Sequence, residues 1–296
     1  MRAGLVFNSA AGGGRRGTGE KVQRYLEEAG LTVEAAPTRG PGDAIQLTQE
    51  LADRVDVMVA AGGDGTVNEV INGLVGSDVP LGLVPTGTVN VLALELGIPL
   101  DPVGAAEVVA RGITRTLDLG LARQPETGDS RYFVLMAGVG IDALTIKELD
   151  VGLKNRFRRA AFVWTGVKAF LRNPSPLLQV EIGEKRHEAN LVVAGNCRYY
   201  GGRFGITTRA VPNDGLLDVL MFEGRGFLRN AAFWLGTPLG LHVRHPGTSY
   251  VQERSLSIRA DDANDPVWFH TDGELAGRLP VEIEIKENAL RVLVLE

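Results

Sequence analysis

One cysteine, Cys197, stands in 296 residues. It can close no internal disulfide, which fits a reducing compartment. Basic charge is not in excess: 31 Lys and Arg face 36 Asp and Glu. That excludes a nucleic-acid binder relying on its whole surface. A long unbroken apolar run is also lacking. Val79–Leu100 carries one formal charge, Glu95, but Pro80, Gly82, Pro85, Gly87, Asn90, Gly97 and Pro99 cut it into strand, loop and short helix. A membrane span is excluded. The N-terminus has no signal-peptide core and reads as a first strand. The four histidines, His187, His242, His245 and His270, show no zinc spacing. The first glycine cluster, Gly12-Gly13-Gly14, is followed by no Lys-Ser/Thr pair, so it is not a Walker A loop. Repeats and low-complexity tracts are missing too.

Aromatics are scarce in one half only. Phe7 and Tyr25 are the sole aromatic residues before position 121, and that stretch holds 9 basic and 15 acidic residues. The remainder holds 22 and 21. This shift divides the chain into 1–120 and 121–296. The first part alternates strands at Leu5–Phe7, Leu31–Ala35, Val55–Ala61 and Leu81–Val84 with helices at Gly19–Ala29, Gly42–Ala52 and Thr66–Val75. Strands separated by helices pair in parallel, giving an open α/β sheet with ligands beyond the carboxyl ends of its strands. The second part reads as strands at Tyr132–Ala137, Leu177–Ile182, Ala189–Ala194, Leu217–Phe222, Ser255–Arg259, Val267–His270, Val281–Ile285 and Leu290–Leu295. Helical interruptions are expected near 143–172 and 226–236. The expected fold is an α/β domain joined to an antiparallel β-sandwich, the last strand being able to return to the first domain.

Gly62-Gly63-Asp64-Gly65-Thr66 follows the third strand and opens a helix. Its glycines let backbone approach a ligand, and a helix N-terminus suits phosphate. Thr66-Val67-Asn68-Glu69 has the form of a capping box. Asp64 is informative, because a carboxylate in an anion-binding loop repels phosphate unless a cation such as Mg²⁺ lies between them. Pro85-Thr86-Gly87-Thr88-Val89-Asn90 repeats the arrangement after the fourth strand, so two helix starts are expected to frame one nucleotide. The loop Asn8–Gly17 adds main-chain donors, Arg15 and Arg16. Asp214-Gly215 and Asp272-Gly273 read by default as turns. From 151 to 180 the chain has no acid but carries Lys154, Arg156, Arg158, Arg159, Lys168 and Arg172. Phe157, Ala161, Trp164, Val167 and Leu171 form an apolar stripe on the same segment. It reads either as a helix lying on an anionic bilayer or as one packed on the β-domain. Phe227-Leu228 with Phe233-Trp234-Leu235 reads as core packing or as the lining of an acyl-chain pocket.

The paired motifs Gly62-Gly63-Asp64-Gly65-Thr66-Val67-Asn68-Glu69 and Pro85-Thr86-Gly87-Thr88-Val89-Asn90, with Asn213-Asp214-Gly215-Leu216-Leu217-Asp218 and Thr271-Asp272-Gly273-Glu274, resemble the diacylglycerol kinase catalytic-domain family over nearly the full length. That family includes soluble bacterial lipid kinases and relatives of sphingosine and ceramide kinases. The resemblance implies ATP between two domains, near Asn8, Thr38, Gly62, Gly63, Asp64, Gly65, Thr66, Val67, Asn68 and Thr88. It implies catalytic Mg²⁺ organised by Asp118, and a structural Mg²⁺ held by Asp214 with the carbonyls of Val211 and Leu216. It also implies a general base at Asp272 or Glu274, which extended geometry would set on one face. Many bacterial members carry Asn-Asp where this chain has Asn90-Val91, removing one carboxylate from the metal network. The expected protein is an ATP- and Mg²⁺-dependent kinase of a lipid hydroxyl on diacylglycerol, phosphatidylglycerol or a sphingoid-like base. It would be cytoplasmic, attached peripherally to the inner membrane face through about 154–172, and without nucleic-acid partners. The oligomeric state stays open. The alternatives are a kinase of a soluble alcohol, as in NAD kinase, and an inactive lipid- or nucleotide-binding protein.

Overall fold

The computed structural model describes residues 1–8, 17–140, 143, 177–224, 227–260 and 266–295. The glycine-rich loop 9–16 and the basic segment 154–172 lie outside them. The chain forms two compact units. One comprises Met1–Leu119, Gly201–Arg203 and Glu287–Glu296, the other Gly120–Tyr200 and Phe204–Lys286. In order the elements are β1 (Arg2–Asn8), α1 (Thr18–Glu28), β2 (Thr32–Thr38), α2 (Asp43–Ala52), β3 (Val57–Gly62), α3 (Asp64–Leu74), β4 (Leu81–Pro85), α4 (Val91–Glu95), α5 (Pro102–Arg111) and β5 (Thr114–Arg123). Then come β6 (Ser130–Phe133), β7 (Met136–Gly140), β8 (Leu178–Ile182), β9 (Lys185–Ala189), β10 (Leu191–Gly195), β11 (Tyr199–Tyr200), β12 (Phe204–Gly205) and β13 (Leu217–Phe222). They are followed by α6 (Phe227–Gly236), 3₁₀ turns at Thr237–Leu239 and Leu241–Arg244, β14 (Thr248–Glu253), β15 (Ser255–Ala260), β16 (Trp268–Thr271), β17 (Glu274–Arg278) and β18 (Val281–Leu293).

In the first unit β2-β1-β3-β4 pair in parallel, and the end of β18 joins β4 through Val292 opposite Leu81. Every residue of β3 is buried, as a central parallel strand covered on both faces requires. Helix α5 shows strong local signals: Asp101 caps it by accepting from Gly104 N at 2.8 Å, Pro102 opens it, and Gly112 ends it in the left-handed region. The sequence elements above omit it, along with β5.

The second unit is an antiparallel sandwich. One sheet runs β14-β13-β10-β7-β16-β17. The other layer holds β9-β8-β15 with the start of β18, and β5 paired with β6. The core draws on both, with Val139, Val192, Leu217 and Phe269 from the first and Val180, Ile258, Val281 and Ile283 from the second. Two expected strands come out differently. Tyr132–Ala137 breaks after Phe133, because the N–H groups of Val134, Leu135 and Met136 turn toward the Asp272 carboxylate. Val281–Ile285 and Leu290–Leu295 join into β18, a 13-residue strand. β9 escaped notice because Lys185-Arg186-His187-Glu188 carries no apolar alternation. Its place is set by the hairpin with β8.

Candidate active site

Parallel register assembles the first group of candidates. Asn8 pairs with Thr38 at the carboxyl ends of β1 and β2, Phe7 pairs with Ala61, and Gly62 pairs with Pro85. Asn8, Thr38 and both glycine turns therefore share the carboxyl edge of one sheet, where open α/β sheets bind ligands. Thr38 is buried and Thr88 exposed.

The two turns are fastened to each other through backbone. Thr86 N and Gly87 N donate to the Gly62 carbonyl at 3.0 and 3.2 Å. A methyl group on Gly87 would fall 2.4 Å from Gly63 Cα, so only glycine permits this approach. Asn90, at φ 56°, closes the second turn on itself. Its Oδ1 accepts from Gly87 N and its Nδ2 donates to Gly87 O, both at 3.0 Å.

Asp64 has a role that local sequence did not disclose. Its Oδ1 accepts from Val91 N at 2.6 Å and Leu92 N at 3.4 Å, capping α4. The first amides of α4 are thus directed at Asp64, so the expectation of two helix starts jointly framing a phosphate gives way to one, that of α3. Val91, where the resemblance implies a missing carboxylate, has its side chain buried. The capping box is also corrected. α3 begins at Asp64 behind Gly63, so Gly65, Thr66, Val67 and Asn68 lie in its first turns and Thr66 caps nothing. Glu69 reaches another helix: its two oxygens accept from Gly42 N at 2.8 Å and Ala44 N at 3.1 Å at the start of α2. Asn68 is buried, and its carbonyl accepts from Asn72 Nδ2 at 2.9 Å.

In the second unit Asp272 and Gly273 form the two-residue turn between β16 and β17, with φ of 50° and 84° as a type I′ hairpin requires. This overturns the extended geometry expected for 272–274. Asp272 is 9% exposed and accepts from Val134 N (2.9 Å), Leu135 N (2.8 Å) and Met136 N (3.0 Å). These charge-assisted bonds fix its carboxylate. Glu274, whose side chain is 41% exposed, opens β17, and its Oε2 meets Arg131 Nη2 at 2.6 Å. Gly273 N donates to Nδ1 of buried His270 at 3.3 Å. Arg131 was not among the residues singled out from sequence, and it lies 143 positions from its partner, beyond any local signal; His270 was named only as a histidine without zinc spacing.

The ligands expected for the catalytic and the structural Mg²⁺ belong to different units. Asp118 belongs to the first unit, is buried, and accepts from Asn288 N at 2.7 Å. Val211, Asp214 and Leu216 belong to the second. There the Val211 carbonyl accepts from Asn213 N and Asp214 N, and Asp214 Oδ1 accepts from Leu216 N at 3.1 Å. Near it lies Asp218, fully buried, whose Oδ2 accepts from Gln252 Nε2 at 3.3 Å and whose Oδ1 has no partner. Burial raises its carboxyl above the usual range and also raises the Tyr250 hydroxyl beside it. Among the described residues no three His, Cys, Asp or Glu side chains gather as a metal cage. Mg²⁺ does not need one, since one or two carboxylates with substrate phosphates suffice, and Asp64 and Asp118 are oxygen donors of that kind.

A parallel α/β unit with paired glycine turns and an antiparallel β-sandwich unit define a two-unit α/β-plus-sandwich protein. Residues 2–122 match the diacylglycerol kinase catalytic domain, and residues 136–294 match a family described as the YegS C-terminal NAD kinase beta sandwich-like domain. The chain is 31% identical over 250 residues to a diacylglycerol kinase of Mycobacterium tuberculosis, covering 83% of this chain and 79% of that one. To one of Bacillus subtilis it is 28% identical over 292 residues, covering 95% and 92%. A crystal structure of a diacylglycerol kinase from Bacillus anthracis superposes with a TM-score of 0.77 at 24% identity, covering 99% and 97%, which shows the shared fold. The chain belongs to the diacylglycerol kinase catalytic-domain family and is a lipid kinase.

Proposed function

We propose that this enzyme transfers the γ-phosphate of ATP to the free hydroxyl of a membrane lipid, with diacylglycerol the first candidate because the named relatives are diacylglycerol kinases. The observation that carries the reading is the backbone-to-backbone clasp of Gly62-Gly63 with Thr86-Gly87 at the carboxyl edge of the sheet. Backbone free of Cβ atoms and the start of α3 suit a triphosphate. Asn8, Thr38 and Thr88 would contact the nucleotide. Glu274 is proposed as the general base. It is the more accessible of the two candidates, whereas the Asp272 carboxylate is committed to three amides. Arg131 would hold Glu274 in position. Glu274 takes the proton of the lipid hydroxyl as its oxygen bonds to the γ-phosphorus, the bond to the bridging oxygen breaks, and ADP leaves. Mg²⁺, when bound near Asp64 and Asp118, would neutralise phosphate charge. Asp214 with the Val211 and Leu216 carbonyls is proposed as a second, structural Mg²⁺ site. The enzyme would act on the cytoplasmic face of the membrane, held there by the anionic surface, with segment 154–172 contributing. No helix among the described residues is long and apolar enough to cross a membrane.

The test is incubation with γ-labelled ATP and total lipid extract, followed by mass identification of the product, alongside Glu274→Gln. A labelled phosphatidic acid made by the parent enzyme and lost in the variant is expected. Label confined to a water-soluble alcohol would establish the NAD kinase-like alternative.

A further inference from the structure

The segment from α6 to β14 is apolar in a way that core packing does not explain. Among the described residues, Leu235 and Leu239 are the most exposed large apolar side chains, at 78% and 74%, and Leu241 follows within two residues at 54%. Ala232 and Pro238 are exposed beside them. Ala232 and Leu235 fall on one face of α6, three residues apart. The underside is fixed. Phe233 is fully buried, stacks on Phe222 with centroids 4.2 Å apart, and meets the edges of His242 and His245. Thr237 Oγ1 donates to Phe233 O at 3.0 Å, and His242 Nε2 lies 2.8 Å from Ile206 O. The leucines are therefore held outward by an ordered base. Charge supplies the second observation. From Gly224 to Gln252 the sequence contains no Asp or Glu, while Arg229 and Arg244 are exposed within it.

We infer that this leucine-tipped face docks the enzyme on an anionic lipid bilayer, Leu235, Leu239 and Leu241 entering the acyl boundary and Arg229 and Arg244 meeting lipid phosphates. An apolar tip on a 29-residue stretch that carries exposed arginines and no acid, bounded by Glu223 and Glu253, matches an interfacial anchor. The choice of a bilayer as occupant rests on the lipid-kinase reading, and the residues of this face are distinct in sequence from segment 154–172.

The test uses the full chain and co-sedimentation with vesicles of phosphatidylcholine, with and without phosphatidylglycerol. Binding that needs phosphatidylglycerol is expected, with the Leu235→Ser/Leu239→Ser/Leu241→Ser variant weakened about tenfold or more. Arg229→Gln/Arg244→Gln should lose most of the preference for phosphatidylglycerol, and this second variant leaves the apolar face intact. The serine variant should keep the parent's melting temperature, and phosphorylation of a short-chain diacylglycerol dissolved as monomer should be unchanged in the arginine variant. That assay also separates the two ideas, since vesicle binding without any lipid phosphorylation would end the kinase reading and leave the docking face standing. Wild-type chain that ignores vesicles, or a serine variant that binds like wild type, overturns the inference. A dimer on gel filtration that the serine variant abolishes, without vesicle binding, overturns it in favour of self-association.

Discussion

Replacing Asp272 by asparagine separates the two roles a carboxylate could have at this turn. The backbone there sits at φ 50°, which asparagine tolerates, so the change removes charge with little conformational cost. With its oxygen toward Leu135 N and Met136 N, the new amide group must face Val134 N, which now donates to Oδ2 at 2.9 Å. One buried donor loses its acceptor, costing about 1–3 kcal/mol, and the two remaining bonds lose their charge assistance. The total is about 2–4 kcal/mol, or roughly 5–10 °C in melting temperature. Glu274→Gln should lower stability by no more than about 1 kcal/mol, because the Arg131 pair is partly exposed, yet should abolish transfer. Urea unfolding and radiometric kinase assays on both variants decide it. Normal stability with lost activity in Asp272→Asn would make Asp272 the base and refute the anchoring argument.

Gly87→Ala should abolish ATP binding by calorimetry, since its methyl group would meet Gly63 Cα at 2.4 Å and pry the two turns apart. Glu69→Ala should cost about 1–2 kcal/mol in denaturant unfolding by uncapping α2, although it lies in α3. His242 carries a pH prediction. Burial lowers its basicity in the folded state, so the unfolded chain binds more protons below about pH 6.5, and stability should fall as pH drops below that value and stay level above it. His242→Gln should flatten that part of the urea-unfolding profile between pH 7.5 and 5.5 relative to the parent chain, and an unchanged slope would refute it.

The architecture was legible because its signals are local. Buried parallel strands announce themselves as apolar runs, and the order strand–turn–helix around Gly62 forces that loop to the carboxyl edge. Boundaries failed where the deciding contact was distant in sequence. Nothing near Thr66 says that Glu69 serves the start of α2, 25 to 27 residues away, and a local capping pattern was therefore credited with a bond it does not make. The break after Phe133 is the same case, caused by a carboxylate 136 to 138 positions on.

The site carboxylates show why residue type and spacing identify them but do not divide their labour. Asp64, Asp272 and Glu274 were all recognisable as acids beside glycines. What differs is the donors that reach each one from other parts of the chain: Val91 and Leu92 for Asp64, residues 134–136 for Asp272, Arg131 for Glu274. Two backbone-capped aspartates hold turns in place, and one side-chain-paired glutamate keeps exposure. A general base needs an oxygen the substrate can reach, so the acid least occupied by main-chain amides is the one to which the geometry assigns the proton transfer.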